Sequence, residues 1–192
     1  MSERTIGSAC AALGLTILAA VFCSTGCSYT AASKGVKDLN KEVEITSSLG
    51  INVTDGEYTQ VYDSHGGFHG DGTTYSTVKF TDDTVLDQIE EHSEDGPWHK
   101  LPLSENVDIL LYGVEKETEN GIESMGPFIT DDEGNVLAPE VKNGYYFFMD
   151  RQADDEEYKF DDSQVLDRAS YNCTVALFDT DTNTLHYFKL DT

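Results

Sequence analysis

The sequence predicts an α+β domain with a mostly antiparallel sheet of about five strands, one or two helices packed on it and a C-terminal β-hairpin. Several runs of residues are rich in β-branched and aromatic side chains, which favour strands. Two other segments carry apolar residues at helical spacing behind a residue that can cap a helix. The last two strand-like runs are separated by Thr180-Asp181-Thr182-Asn183, whose residue types favour a turn.

The first two predicted strands are residues 57–63 and 73–80. They read EYTQVYD and TTYSTVKF, both with partial alternation of apolar and polar side chains. The loop between them, residues 64–72, has nine residues and four glycines. Because glycine tolerates tight backbone turns, this loop can fold back on itself.

The first predicted helix covers residues 82–92. Asp82 and Asp83 stand at its start, where the helix dipole favours negative charge, and Gly96-Pro97 follows its end. One face of this helix is apolar, formed by Val85, Leu86 and Ile89.

A second helix is predicted to begin after Ser104, a residue type that caps helices, and to end at Gly113. Its apolar residues at helical spacing are Val107, Leu110 and Leu111. The alternative for residues 107–112 is a strand.

Residues 115–143 contain several glycines, prolines and acidic turn residues, and they are predicted to be irregular with at most one short hairpin. Strand signals return at residues 144–150, 170–179 and 184–191. The 170–179 strand is apolar on both faces, which indicates a strand covered on both sides.

The composition argues against some functional classes. The chain has 36 Asp and Glu against 12 Lys and Arg, a formal net charge of −24. A surface this negative repels phosphate backbones, so nucleic acid is not an expected partner. Hydrophobic residues make up 39% of the chain, which is enough to form a core, so the acidity does not indicate disorder.

An uncharged apolar stretch near the N-terminus indicates export. Residues 6–22 read IGSACAALGLTILAAVF, and Ser24-Thr25-Gly26-Cys27 follows shortly after. This group resembles the lipobox of bacterial lipoproteins, in which small residues precede a cysteine that receives diacylglyceryl lipid and becomes the mature N-terminus. Lipoboxes usually have Leu three residues before the cysteine, and Ser24 stands there in this chain.

The lipobox resemblance implies a signal peptide at residues 1–26, a lipidated N-terminus and tether at 27–42, and a single acidic α+β domain at 43–192. Cys27 is then the lipid attachment site, and the membrane is the partner that holds the domain on the extracytoplasmic face of the cell. The alternative is an ordinary signal peptide or a single N-terminal membrane anchor, and each of these also places the domain outside the cytoplasm.

Cys173 is the one cysteine of the predicted domain, so the domain has no internal disulfide. Its place within an apolar strand favours a small buried hydrophobic residue over a nucleophile.

The glycine-rich loop carries the candidate metal ligands. Asp63, His65, His69 and Asp71 lie within nine residues, and two imidazoles with two carboxylates suit a divalent ion such as zinc. The alternative is that the glycines serve the turn and the histidines cap it. The spacing Asp179-x-Asp181-x-Asn183 resembles the opening of a calcium loop, but the later ligands are missing and a hairpin turn explains it better.

No other catalytic or cofactor motif is present in the sequence. The HGGFHGDG loop, the NGYYFF strand and the SYNCTVALFDTDTNTLHYFKLDT ending are similar to uncharacterised exported proteins of Gram-positive bacteria, and that resemblance implies no activity. The sequence therefore favours a membrane-anchored, non-catalytic binding or interaction module without a cofactor. The alternative is a metal-dependent or hydrolytic surface enzyme that uses the loop of His65 and His69.

Overall fold

A computed structural model of the chain describes residues 35, 38–66, 70–119 and 121–192. Backbone contacts divide the chain between Lys41 and Glu42, and the compact unit Glu42–Thr192 holds the sheet. The predicted signal peptide and Cys27 lie outside the described residues. Within the described ranges, no helix combines the length and the apolar character needed to cross a membrane.

Eight strands lie in the described part of this unit. In chain order they are β1 Glu57–Asp63, β2 Gly72–Lys79, β3 Trp98–Lys100, β4 Val114–Thr118, β5 Gly121–Met125, β6 Gly144–Asp150, β7 Asn172–Asp179 and β8 Thr184–Asp191. Six of them form one sheet in the order β1-β2-β8-β7-β6-β3, with every neighbouring pair antiparallel. Strands β4 and β5 pair separately as a hairpin within the segment predicted to be irregular. The predicted antiparallel sheet with a C-terminal hairpin is confirmed, with six strands rather than about five.

Helices and short 3-10 turns complete the described fold: α1 residues 38–49, α2 Thr84–Asp95, α3 Glu105–Tyr112, and 3-10 turns at Glu156–Tyr158 and Val165–Asp167. Helices α2 and α3 confirm the two sequence-predicted helices, and the alternative strand at 107–112 is wrong. Helix α1 was not predicted, because the chain up to residue 42 has the composition of a tether. Its buried Ile45 and Leu49 are four residues apart, which places them on one helical face.

Both faces of the sheet are covered, as the doubly apolar 170–179 strand predicted. In β7, Ala176 and Phe178 belong to a core that includes Ile89 of α2. The alternate residues Val175 and Leu177 belong to a second core, which includes Leu110 of α3. This alternation follows from the two-residue period of a strand, and it buries β7 from Cys173 to Phe178.

The ends of α3 follow the predicted capping pattern. Ser104 Oγ accepts a hydrogen bond from the backbone N–H of Val107 at 3.3 Å, and the same hydroxyl donates to Asp162. Gly113 ends the helix with φ 74°, and its N–H donates to the Ile109 carbonyl at 2.9 Å. The cap holds α3 in place over the second core.

The C-terminal hairpin turns through residues 180–183. The Asp179 carboxylate accepts hydrogen bonds from the Asp181 N–H at 2.9 Å and from the Thr182 hydroxyl at 2.8 Å. Asn183 has φ 53°, a left-handed conformation that Asn adopts more readily than most residues. The calcium-like spacing is thus a hairpin turn whose first carboxylate caps the turn backbone.

Candidate functional site

His65 and Asp63, two of the predicted metal ligands, are in contact. His65 Nδ1 lies 2.9 Å from Asp63 Oδ1 and 3.1 Å from the Thr74 hydroxyl. The other ring nitrogen, Nε2, lies 2.9 Å from Asp191 Oδ2 on β8. Both ring nitrogens of His65 are therefore engaged by partners within the domain.

Gly72 allows the two ends of this loop to meet. A Cβ at this position would lie 2.8 Å from the His65 backbone nitrogen, so only glycine fits without a shift. Ser64 and Thr73 extend the strand pairing there, since the Ser64 N–H donates to the Thr73 carbonyl at 3.0 Å. The close approach carries His65 towards the end of β8.

Asp191 joins His65 to Arg151 in an ionic cluster that the sequence did not predict. Arg151 Nη1 donates to Asp191 Oδ1 at 2.7 Å, and Nη2 donates to the carbonyls of Cys173 and Leu190 at 3.1 and 2.8 Å. Burial acts to raise the pKa of Asp191, but the hydrogen bonds and charge of Arg151 and the hydrogen bond of His65 outweigh it and hold that pKa below its ordinary value. The cluster fastens the loop to the sheet.

The other two predicted ligands do not join this cluster. Asp71 is exposed and forms no ion pair with His65, and His69 lies outside the described residues. Over the described ranges, no group of three or more His, Cys, Asp or Glu side chains is placed to hold a metal ion. Metal binding at this loop stays a prediction.

Cys173 is a buried residue of β7, as predicted from its apolar strand. Its side chain is fully enclosed, and burial raises the pKa of the thiol to about 12 although Arg151 acts in the opposite direction. A thiol with so high a pKa is not ionised at neutral pH, so Cys173 is not an activated nucleophile.

A cavity of about 660 Å³ opens beside α3. Its apolar wall is formed by Leu101, Pro102 and Leu103 before α3, by Val141 before β6, and by the buried Leu177 of β7. Ligand sites are typically concave, largely apolar and roughly 300–1,000 Å³ in volume. The cavity has these properties.

Ionised side chains stand around the apolar wall of this cavity: Asp108, Glu140 and Lys142. Tyr112 also lines it, and its hydroxyl donates to the Pro139 carbonyl at 2.8 Å. Burial, and then the charges of Asp108 and Glu140, raise the pKa of Tyr112 to about 12. The two carboxylates therefore both act on the same tyrosine and disfavour its ionisation.

A second cavity, of about 320 Å³, adjoins the first and shares Leu101 and Lys142 with it. Lys100, the last residue of β3, also lines it, as do Glu90 and Gly144. Gly144 has to be glycine, because a Cβ there would lie 1.8 Å from the Phe178 carbonyl oxygen. Glycine at position 144 thus allows β6 to pass close to β7 beside this cavity.

The two cavity lysines are unusual in this acidic domain. Five of the eight basic side chains in residues 43–192 form ion pairs, namely Lys116, Arg151, Lys159, Arg168 and Lys189. In the described part of the chain, Lys79, Lys100 and Lys142 have no carboxylate within ion-pairing distance. Two of these three cations thus line the adjoining cavities.

No family model, curated protein or solved structure matches the chain in the three comparisons with known proteins.

The cavity was not predicted from the sequence. Its wall combines residues 101–103 before α3, residues 140–142 of the segment predicted to be irregular, and Leu177 of the buried strand β7. These segments are far apart in the chain. The only local signal is the Leu101-Pro102-Leu103 group, which places apolar side chains next to a helix cap.

Proposed function

We propose that this chain is a lipid-anchored extracytoplasmic protein whose domain binds a ligand in the cavity beside α3 without transforming it. The observation that carries the proposal is the combination of a large apolar wall with a few ionised groups in one concave site. The anchor is the lipid expected on Cys27, and the Ser24-Thr25-Gly26-Cys27 group supports it.

The residues that line the cavity support binding rather than catalysis. The described wall contains no His, Cys, Ser or Thr, so it holds no Ser-His or Cys-His pair, and its acid-base groups are the carboxylates Asp108 and Glu140 and the Lys142 amine. The Tyr112 hydroxyl is protonated at neutral pH, with a pKa raised to about 12, and it already donates to a backbone carbonyl. The wall offers an apolar surface and fixed charges, which suit recognition.

The alternative, a metal-dependent or hydrolytic enzyme built on His65 and His69, has less support. Each ring nitrogen of His65 already has a carboxylate partner, Asp63 on one side and Asp191 on the other. A metal would have to displace one of these contacts, and the Asp191 contact also fastens the loop.

A test of the proposal is a small-molecule fragment screen by saturation-transfer NMR on the purified full-length chain, repeated on a variant with a filled cavity. Val141→Trp places an indole in the cavity, whereas Val61→Trp places one on an exposed site of the edge strand β1, where Val61 is 51% exposed. Fragments that bind the unmodified chain should lose their signal with Val141→Trp and keep it with Val61→Trp. The proposal is wrong if no fragment distinguishes the two variants.

A further inference from the structure

Four charged side chains line the two adjoining cavities. Asp108 and Glu140 line the first cavity, Lys100 lines the second, and Lys142 lines both. Within the residues that the structure describes, none of the four forms an ion pair. Opposite charges that share a cavity wall without pairing leave room for a ligand to pair with each of them.

The balance of charge differs between the two cavities, because Asp108 and Glu140 line only the first and Lys100 only the second, while Lys142 lines both. Asp108 and Glu140 both act on Tyr112, which places the negative end beside α3. Lys100 and Lys142 line the second cavity next to the start of β6, which gives that cavity a net positive charge. The one carboxylate there, Glu90, already accepts a hydrogen bond from the Tyr145 hydroxyl at 3.0 Å.

The spacing of Glu140 and Lys142 along the chain limits the distance between the negative and the positive groups. Glu140 and Lys142 are two residues apart, so their Cα atoms are at most ~7 Å from each other. An extended tripeptide spans ~10 Å, which flexible Glu and Lys side chains can accommodate at its two termini. The apolar wall, with Leu101 shared by both cavities, is then available to the peptide side chains.

We infer that the ligand is a short zwitterionic peptide with apolar side chains, whose ammonium group pairs with Asp108 and Glu140 and whose carboxylate pairs with Lys142 and Lys100. The inference rests on the proposed function, since it names the ligand class of the same cavity. A simple anion would meet two carboxylates at one end, and a simple cation would meet two lysines at the other. A molecule with both charges can pair with the carboxylates and with the lysines, while its apolar side chains contact the leucines of the wall.

Three matched probes separate these classes: trileucine with free termini, N-acetyl-trileucine with only the carboxylate, and trileucine amide with only the ammonium. Isothermal titration calorimetry on the full-length chain should show the tightest binding for trileucine. Blocking either terminus should weaken binding about tenfold, the effect of losing one hydrogen bond to a charged group.

Side-chain substitutions assign each end. Lys142→Gln should weaken trileucine by a similar factor and leave trileucine amide unchanged, because that probe has no carboxylate to lose. Asp108→Asn should weaken trileucine and leave N-acetyl-trileucine unchanged. Lys79, on β2, is the third lysine without an ion pair in the described part of the chain. Lys79→Gln is therefore the matched control and should leave all three affinities as they were.

Failure of this inference is distinguishable from failure of the proposed function. Equal affinity for the three peptides, or equal losses with Lys142→Gln and Lys79→Gln, overturns the zwitterion assignment but leaves a ligand-binding cavity. Absence of binding by all three peptides also overturns it. The proposed function fails separately if the fragment screen finds no ligand that Val141→Trp displaces.

Discussion

Asp191 is the residue through which the glycine-rich loop is attached to the sheet. Its carboxylate contacts Arg151 Nη1 at 2.7 Å and His65 Nε2 at 2.9 Å, and 18% of the side chain is exposed. Such an acid stabilises the fold while it is ionised, because both partners are donors or cations.

Asp191→Asn should lower the free energy of unfolding at pH 7 by about 2 kcal/mol, since hydrogen bonds to charged groups contribute about 1.5–3 kcal/mol. The folded state holds the pKa of Asp191 below its ordinary value, so its stabilisation is complete above the unfolded pKa and is lost as the pH falls through the folded pKa. The difference from the unmodified chain should therefore shrink below about pH 4. Urea unfolding at several pH values measures it.

Asp71→Asn is the matched control, because Asp71 is an exposed acid of the same loop without an ion pair to His65. Its effect should stay within about 0.5 kcal/mol at all pH values, as for most surface substitutions. A pH-independent loss with Asp191→Asn would contradict the ionic role of the carboxylate.

Only the contacts between residues close together in the chain were predictable from the sequence. Asp63 and His65 are two residues apart, so their contact was within reach of the pattern. The partner of the other ring nitrogen, Asp191, is 126 residues away, and strand pairing alone brings it near. The cavity residues are similarly dispersed, which is why the candidate ligand site was missed.

Among the elements, β8 is a central strand of the sheet. It pairs along its whole length with β2 on one side and β7 on the other. Phe188 on this strand is fully buried, and its ring stacks on that of Tyr75 with centroids 4.7 Å apart. The hairpin to β7 was predictable because its turn residues are local, and the pairing with β2 was not.

Phe188→Ala should lower the free energy of unfolding by about 3–5 kcal/mol, because it leaves a cavity between two packed layers. The measurement is urea unfolding followed by circular dichroism. Val61→Ala removes an apolar side chain from the edge strand β1, where it is 51% exposed, and should cost about 0.5 kcal/mol or less. Similar losses for the two variants would contradict the central position of β8.

Short elements explain the remaining differences in the fold. Strand β3 has three residues, too few to show an alternating pattern, although Trp98 anchors it by donating to the Leu49 carbonyl at 3.2 Å. Helix α1 begins within the lysine-containing segment. The polar composition of that segment gives no sign of the apolar face that Ile45 and Leu49 form. Both elements form because tertiary packing stabilises them, and a local pattern does not report that packing.

For the whole molecule, the lipid proposed on Cys27 would hold the acidic domain at the surface of a membrane. A single acyl chain binds membranes only weakly, at about 10⁴ M⁻¹ for myristate, whereas several chains hold a protein firmly. The domain itself carries an acidic surface that anionic headgroups repel. In the proposed lipoprotein, membrane attachment therefore comes from the N-terminal segment.

Cys27→Ala should abolish lipidation and leave either an uncleaved precursor or a soluble product of ordinary signal peptidase. Cell fractionation followed by mass spectrometry of the N-terminus measures the outcome. Ser28→Ala, next to the proposed lipid site, should leave lipidation intact. An unmodified N-terminus in the membrane fraction of the unmodified protein, or cleavage away from Cys27, would show that the chain is not a lipoprotein.

The position of β8 in the sheet also constrains when the protein can fold. In chain order, β8 follows the other seven described strands, and it joins the β1-β2 pair to the strands on the other side. Until they emerge, β1 and β2 form only an isolated hairpin, which is marginally stable in water. The six-stranded sheet therefore forms only once residues 184–191 have been synthesised. Under the export proposed above, this order of events leaves the sheet incomplete for as long as residues 184–191 have not been made.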